Sequence, residues 1–404
     1  MQTAGKQKKK RDNSSRIRSG AAALCAALLL LLSGCGAASD GQAAEQQVAL
    51  SGGALQDGQM PELQMAEQQE NGGSPTEEMA EPGEGQTPDG TLSVTFLDVG
   101  QGNAVLVEQG GVYMLIDGGN SEDSDVIYTY LEKQKVEELD YMVCTHAHED
   151  HVGGLSGALM YASVDTALAP VTEYDSRAFR NFRDGLEKQG VAITIPEAGD
   201  SFLLGSAQVK VLGPVRETDE TNNTSIVLRI VYGDTSFLFT GDAEREEEED
   251  ILDTGETLKS TVLKVGHHGS DSSTSYPFLR EVMPEYGVIS VGTGNTYGHP
   301  TQEVLSRLSD AGVTVYRTDL QGDIICTSDG EEVTFRTAKD TAPQEGRKPD
   351  PEEKEYILNT NTMKFHHPAC SSAAEMGPEN KKEFTGTREE LLEKGYSPCG
   401  RCKP

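Results

Sequence analysis

The chain has 404 residues, of which 36% are hydrophobic, and it carries a formal net charge of −32. This length is sufficient for one large domain and one small domain joined by linkers. A strongly negative charge argues against a general polyanion-binding protein, because nucleic acid is repelled unless metal ions or local basic patches offset the field.

The first 35 residues have the pattern of a lipoprotein signal peptide. Seven basic residues precede an apolar run over residues 21–32, which is too short to cross a bilayer comfortably as a permanent helix. The run ends in Leu32-Ser33-Gly34-Cys35, which resembles a bacterial lipobox. We therefore expect a lipid on Cys35 to tether an extracytoplasmic protein to the bacterial cell membrane. The alternative, an uncleaved membrane anchor, leaves the domain on the same side of the membrane.

The next segments differ sharply in composition. Residues 36–90 are rich in Gln, Glu, Gly, Ala and Pro and nearly lack aromatic and β-branched residues, which predicts a disordered tether. Over residues 91–338, strand-like apolar runs alternate with helical patterns, which predicts one layered α/β domain. The predicted strands are 92–97, 104–107, 111–116, 141–144, 164–168, 226–231, 236–239, 262–265, 287–291 and 313–316. The predicted helices are 125–133, 154–161 and 301–309.

A histidine-rich stretch directly follows the predicted strand 141–144. It contains His146, His148, Asp150 and His151, so three of the eight histidines in the chain fall within seven residues. A buried strand that ends in a polar loop delivers such side chains into a cleft. Imidazole nitrogens favour zinc and an added carboxylate also suits manganese, so we predict a metal site here instead of an ordinary polar surface.

Six further motifs accompany this cluster, in a fixed order along the chain. They are FLDVGQGNA at 96–104, LIDGG at 115–119, NNTS at 222–225, FTGD at 239–242, KVGHHGS at 264–270 and NTYGHP at 295–300. Together they resemble the metallo-β-lactamase fold, and within it the hydrolase domain of the ComEC/Rec2 DNA-uptake proteins. The resemblance implies a four-layer αββα sandwich and a metal-dependent hydrolase.

Each acidic or histidine motif then has a physical role in binding one or two divalent ions, zinc or manganese. His146 and His148 reach one metal from the same loop, while Asp150 and His151 turn towards a second position. Asp242 ends a predicted strand, and its negative charge suits a bridge between the two ions. Such ions activate water as a nucleophile, so the implied reaction is hydrolysis without a covalent enzyme intermediate.

Two parts of the ligand set remain open in the sequence. The family places a further ligand at His267 or His268, and we favour His268, which directly precedes a glycine. Many members also supply a third histidine to the first metal, but none occurs here between His151 and His267. Asn222 or Asn223 stands in its place, and an amide oxygen binds zinc less tightly and accepts manganese.

The predicted catalytic residues are Asp98, Asp150, Tyr297 and His299. Asp98 follows the first strand, so its carboxylate is expected at the cleft rim. The resemblance implies that Tyr297 or His299 donates a hydrogen bond to a phosphate oxygen or leaving group, although packing of the loop is an alternative. We expect Asp117, in the turn after a strand, to orient the histidine loop by hydrogen bonding.

The end of the chain is predicted to be a separate module. Residues 339–355, rich in Pro, Glu and Lys, are predicted to be a linker, and residues 356–404 are too few for a large core. His366, Cys370, Cys399 and Cys402 have the spacing of a structural zinc site, and the segment resembles small Ada-like zinc modules. A disulfide is the alternative, but three cysteines would leave one unpaired. Basic residues suggest a polyanion-positioning surface, with ordinary solvated charge as the alternative: Lys381, Lys382, Arg388, Lys394, Arg401 and Lys403.

These features predict an extracytoplasmic nuclease that hydrolyses phosphodiester bonds in DNA, and the resemblance is to proteins of competence. Hydrolysis of a small phosphoester or lactone is the alternative reaction, since the fold does not fix the substrate. A surface binding protein without catalysis is the alternative of another class. The sequence identifies no protein partner.

Overall fold

The computed structural model of the chain describes residues 90–347 and 353–404. The predicted signal peptide with Cys35, and residues 36–89 of the predicted tether, lie outside the described residues. Within the described ranges, every helix is too short or too polar to cross a bilayer.

The described residues form nineteen strands and ten α-helices. The strands are β1 (Leu92–Phe96), β2 (Val105–Gln109), β3 (Val112–Ile116), β4 (Glu138–Val143), β5 (Ser163–Leu168), β6 (Ile193–Thr194), β7 (Ser201–Leu204), β8 (Ala207–Gly213), β9 (Val227–Tyr232), β10 (Thr235–Phe239), β11 (Val262–Lys264), β12 (Tyr286–Ile289), β13 (Thr314–Arg317), β14 (Ile324–Ser328), β15 (Val333–Thr337), β16 (Lys354–Asn359), β17 (Lys364–His366), β18 (Lys381–Gly386) and β19 (Ser397–Pro398). The helices are α1 (Ser124–Gln134), α2 (Glu149–Val152), α3 (Leu155–Tyr161), α4 (Arg177–Gln189), α5 (Arg245–Asp253), α6 (Tyr276–Val282), α7 (Gln302–Asp310), α8 (Thr318–Gln321), α9 (Ser371–Ala374) and α10 (Arg388–Glu393). Each predicted strand and helix overlaps an observed one.

Two mixed sheets pack face to face. The strand order is β15-β14-β1-β2-β3-β4-β5-β6 in the first sheet and β13-β12-β11-β10-β9-β8-β7 in the second. Leu92, Val94 and Phe96, alternate residues of β1, share one buried cluster with Leu228 and Ile230 of β9. Because successive side chains of a strand point to opposite faces, this cluster is the apolar layer between the two sheets.

Helices cover the outer face of each sheet. Phe179 of α4 packs in a cluster with Leu115 of the first sheet. Phe278 of α6 packs in another cluster with Leu263 of the second sheet. The resulting four-layer αββα sandwich confirms the fold class that the sequence predicted.

Parallel pairing brings the functional motifs to one edge of the sandwich. In the first sheet, β3 is parallel to β4 and β4 to β5. In the second sheet, β10, β11 and β12 are parallel neighbours. The carboxyl ends of such strands lie at the same edge, so the loops after β3, β4, β10 and β11 converge there.

The last part of the chain forms a separate four-stranded sheet, in the order β18-β16-β17-β19. One small cluster joins Tyr356 and Phe365 to Leu391 of α10. A second cluster joins Ile357 and Ala373 to the cysteines. We call the region from Lys354 to Pro404 the C-terminal module.

Part of the predicted linker is attached to the second sheet. The backbones of Val315 and Gln344 exchange two hydrogen bonds of 2.8 Å, and the Arg347 N–H donates to the Ser309 carbonyl oxygen. Gln321 also donates to the carbonyl oxygens of residues 341 and 342. The chain therefore continues along the sandwich up to residue 347, beyond the predicted domain end at 338.

An acidic run such as 244–250 usually forms a solvated helix face, but helix α5 buries two of the glutamates in this one. Glu247 and Glu248 are each only 2% exposed. Glu247 accepts a hydrogen bond from the Val215 N–H at 2.9 Å. The carboxylate of Glu248 accepts from the N–H groups of Thr274 and Ser275. Backbone donors, which the residue types could not reveal, make burial of these acids tolerable.

We predict that Glu247 makes stability depend on pH. Burial raises the pKa of Glu247 to about 7. Its contribution to stability is present below the unfolded pKa and is lost as the pH rises through the folded value. Glu247→Gln should therefore be more stable than wild type at pH 8, by about 1–3 kcal/mol, and nearly equal to it at pH 5.

Urea unfolding at both pH values measures this difference. Glu249→Gln is the matched control, because Glu249 is exposed on the same helix. Equal changes in the two variants would contradict the assignment to burial.

Candidate metal centre

The histidine loop connects β4 to α2 and is held by the turn after β3. Asp117 in that turn accepts hydrogen bonds from the N–H and the hydroxyl of Thr145, both at 2.8 Å. The Asp117 carboxylate also contacts Nδ1 of His151, at 2.7 Å. Gly118 and Gly154 permit close approach of the two loops, since a Cβ on Gly154 would lie 1.9 Å from the Gly118 oxygen. Asp117 therefore has the orienting contacts that the sequence led us to expect.

His146 and His148 form the first group of donors. Nε2 of His146 lies 3.0 Å from Nδ1 of His148. Nδ1 of His146 lies 3.3 Å from the Thr145 hydroxyl and 3.4 Å from the Ser225 hydroxyl. Burial and the neighbouring His151 hold the pKa of His146 well below its ordinary value, so its ring is neutral. Two imidazole rings with facing nitrogens are suited to share one metal ion.

Asp150, His151, Asp242 and His268 form the second group. One donor atom from each residue lies within 4.8 Å of the others. Nε2 of His151 is 3.2 Å from Oδ1 of Asp242, and Nε2 of His268 is 3.2 Å from Oδ2 of Asp150. Nevertheless, three of these atoms are buried without a hydrogen-bond partner: His151 Nε2, Asp242 Oδ1 and His268 Nε2. Buried polar atoms that converge without partners fit a divalent cation.

The carboxylates determine the protonation of the rings. Burial alone would lower the pKa of His151, but the charges of Asp242 and Asp117 raise it well above its ordinary value. The pKa of His268 is raised in the same way, against burial, by Asp242 and Asp150. The pocket therefore attracts positive charge, as protons or as metal ions.

His267 and His268 have different surroundings in the structure. His268 is 2% exposed, and its Nδ1 contacts the Ser290 carbonyl oxygen at 2.9 Å, which directs Nε2 into the second group. Nδ1 of His267 instead lies 3.3 Å from Glu244 and 3.2 Å from the Ser272 hydroxyl. Its Nε2 is 3.7 Å from Asp242. This geometry supports the preference for His268 and places His267 beside the group.

Asn222 is better placed than Asn223 to replace the third histidine. The turn at Thr221–Thr224 lies against the histidine loop, because the N–H of Ile226 donates to the Thr145 carbonyl oxygen at 2.9 Å. Oδ1 of Asn222 is buried without a partner, whereas Oδ1 of Asn223 accepts from the Glu244 N–H. An amide oxygen from Asn222 therefore remains available for a ligand.

The predicted catalytic residues do not all lie together. The His299 ring is 5.7 Å from the His267 ring, and Tyr297 stacks on His299 at 5.8 Å with 71% of its surface exposed. These two residues form a rim beside the donor groups. The Asp98 carboxylate lies 3.4 Å from Nζ of Lys339. The backbone N–H of Asp98 donates a hydrogen bond to the Asp323 carboxylate. These two partners of Asp98 are not members of the donor groups.

Two residues of the site were not identified from the sequence. Lys264 ends β11 with 2% exposure, and burial lowers its pKa, although the charges of Asp242 and Asp117 oppose that shift. Glu244 accepts hydrogen bonds from Asn222 and from the Ser272 hydroxyl, both at 3.1 Å. A lysine inside an apolar strand was the available signal for the first, and no residue pattern indicated the second.

The C-terminal module contains the predicted Cys₃His group. The donor atoms of His366, Cys370, Cys399 and Cys402 lie within 4.8 Å of one another. The described cysteines are free thiols, and both ring nitrogens of His366 are buried without a partner. The geometry therefore fits zinc better than the disulfide alternative. Arg388, which we expected on a basic surface, is buried at 2% exposure, so that part of the prediction was wrong.

We predict different metal losses for the two neighbouring histidines. His268→Ala removes one of four donors, so this variant should lose about one equivalent of hydrolase-site metal after dialysis. His267→Ala should retain it. Elemental analysis of the dialysed proteins measures the difference, and greater loss from His267→Ala would contradict the assignment.

We also predict that the module binds zinc independently of the hydrolase site. Cys399→Ser should lose one zinc per chain, because the thiolate donor is removed. Asp242→Asn is the complementary control and should retain that zinc. Retention of all zinc by Cys399→Ser would contradict the Cys₃His site.

Comparison with known proteins agrees with the fold and the motifs. Residues 97–293 match the Metallo-beta-lactamase superfamily. ComE operon protein 3 of Bacillus subtilis is 31% identical over 250 residues, which cover 57% of this chain and 32% of that protein. Competence protein ComA of Neisseria gonorrhoeae is 34% identical over 239 residues, with coverage of 58% and 32%.

A solved structure is also similar, that of the metallo-beta-lactamase fold protein YhfI from Bacillus subtilis. It has 15% identity and a TM-score of 0.40, and the match covers 59% of this chain and 99% of that one. The chain spans about a third of the length of the two curated relatives. Residues 97–293 of this chain form a metallo-β-lactamase superfamily domain that is homologous to part of these two curated relatives.

Proposed function

We propose that this protein is an extracytoplasmic, metal-dependent phosphodiesterase that cleaves DNA. The observation that carries the proposal is the convergence of unpartnered, buried nitrogen and oxygen donors at one edge of the sandwich. Such donors are costly to bury unless a cation binds them. The hydrolytic chemistry of the superfamily supplies the reaction type.

Two groups of residues would hold the ions. His146 and His148 would form one position, and the unpartnered oxygen of Asn222 is the candidate for its third donor. The second position consists of Asp150, His151, Asp242 and His268. Bound there, one or two divalent ions, zinc or manganese, lower the pKa of water from ~15.7 towards ~7 and polarise the phosphoryl group.

The surrounding residues keep the donors in place. The carboxylate of Asp117 contacts Nδ1 of His151, and this contact directs Nε2 of the ring into the second group. Ser225 accepts from the Asp242 N–H at 3.0 Å and contacts Nδ1 of His146. One hydroxyl thus couples the two donor groups, and partners of this kind tune the affinity of a metal site.

In the proposed reaction, water oxygen bonds to phosphorus while a P–O ester bond breaks. The products are a phosphomonoester and an alcohol, and the leaving oxygen takes up a proton. Tyr297 and His299 lie at the rim, where they would contact the phosphate or the leaving group. Burial and nearby histidines lower the pKa of His299, so at neutral pH it is an uncharged hydrogen-bonding group.

The choice of DNA as substrate rests on the relatives. The relative from Neisseria gonorrhoeae is named as a competence protein, and this chain carries the motifs that resemble those of DNA-uptake hydrolases. The extracytoplasmic location rests on the lipobox at Cys35, which would also tether the protein to the membrane. The net charge of −32 opposes DNA binding, so recognition would have to take place at the cation-binding cleft.

We predict that a member of the donor set, Asp242, and a positioning residue, Asp117, affect cleavage to different extents. Asp117→Asn should lower DNA cleavage by roughly 10–100-fold, the range typical for an outer partner of a metal ligand. Asp242→Asn should lower it further, because its oxygens belong to the donor set itself. Nuclease assays on single- and double-stranded DNA, with zinc or manganese restored after chelation, measure both effects.

Asp253→Asn is the matched control, since Asp253 is an exposed aspartate at the end of α5. Parallel assays on a phosphodiester dye and on a lactone test the alternative substrates. Metal-dependent activity on the small substrates with none on DNA would refute the choice of DNA. Equal activity of wild type and Asp242→Asn on every substrate would refute the site.

A further inference from the structure

A buried arginine connects the C-terminal module to the hydrolase domain. Arg388 begins α10, and its Nη2 lies 2.5 Å from Oδ1 of Asp310, the last residue of α7. Their side chains are only 3% and 8% exposed. Nε of Arg388 also donates to the Pro404 carbonyl oxygen at 2.8 Å. The arginine is thus bound on both sides of the contact between module and domain.

The acceptor on the hydrolase side is itself fixed. The second oxygen of Asp310 accepts a hydrogen bond of 2.6 Å from the hydroxyl of Tyr276, the first residue of α6. Burial and the neighbouring Asp310 raise the pKa of Tyr276, so the hydroxyl remains a neutral donor. One carboxylate therefore joins the starts of α6 and α10 to the end of α7.

Beside this ion pair, the surface of the module lies close to the surface of the α6 region. Leu279 and Met283 of the α6 region face Leu392 and Tyr396 of the module across a largely apolar groove. At Gly395 a Cβ would lie 3.1 Å from Nη1 of Arg280, so glycine permits this approach. An apolar seam around a buried ion pair is typical of a specific interface.

Helix α7 also holds the segment that follows the paired histidines, His267 and His268. Arg307, one turn before Asp310 on α7, donates hydrogen bonds to the carbonyl oxygens of Asp271, Ser273 and Thr274. Its side chain is buried, at 7% exposure for the residue. Residues 271–274 lead directly from His267 and His268 to α6. Contacts thus run from the module through α7 to the histidine segment.

We propose that the C-terminal module is docked on α6 and α7 through Arg388, and that this docking stabilises the segment 270–276 that follows the paired histidines. The module of the same chain then occupies the surface that α6 and α7 form on the hydrolase domain. The proposal does not depend on the substrate or on catalysis.

Hydrogen exchange of the full chain, measured by mass spectrometry, tests the docking. Arg388→Met removes the charge but keeps an apolar side chain, and it leaves Asp310 without its ion-pair partner. We expect several-fold faster exchange in α10, in α6 and in residues 270–276. Arg401→Met is the matched control, because Arg401 is an exposed arginine of the same module that bonds to Ser371.

A second variant separates undocking from unfolding of the module. Asp310→Asn lies in the hydrolase domain, outside both apolar clusters of the module. It should nevertheless raise exchange in α10, and the double variant with Arg388→Met should add little, because the two residues share one contact. Exchange in 270–276 equal to that of Arg401→Met, or no effect of Asp310→Asn on α10, would overturn the proposal.

Discussion

Mutual repulsion among three carboxylates at one edge of the sandwich is the constraint on which the site depends. Asp117, Asp150 and Asp242 converge where the strands of both sheets end, and the side chains of Asp117 and Asp242 are buried there. Without positive charge this arrangement would be strongly unfavourable. The neighbouring carboxylates raise the pKa of His151 and His268, so protons balance the charge whenever cations do not. The requirement for positive charge is therefore a property of the folded chain.

The loops that carry these groups adopt costly backbone conformations. Asp117, His267 and His268 have positive φ values of 59°, 49° and 52°, which residues other than glycine seldom adopt. Gly241, directly before Asp242, has a φ of 51°. Strain of this kind persists where surrounding contacts outweigh it, and here it occurs at the proposed ligand His268 and at residues beside the donor groups. The sandwich provides these contacts, because the loops are short continuations of its buried strands.

Charges far from the donor groups follow the same rule that a buried ion needs a partner. Glu248 and Arg307 are almost fully buried, and both bind backbone groups of the segment after the paired histidines. Arg388 and Asp310 neutralise each other between module and hydrolase domain. Breaking one side of such a pair is more damaging than replacing both. These contacts give a region outside the cleft a direct physical connection to the histidine segment.

The sequence alone predicted a layered α/β domain, because hydrophobic alternation is local, and its motifs implied the αββα class by resemblance. It also revealed the first histidine group, because a single residue separates His146 from His148. It left α4 unrecognised, although Phe179, Phe182 and Leu186 form an apolar face at helical spacing. Only the tertiary structure distinguished His268 from His267 and revealed Lys264 and the burial of Glu247 and Arg388. Side-chain direction and burial depend on partners distant in sequence, and a residue type does not specify those partners.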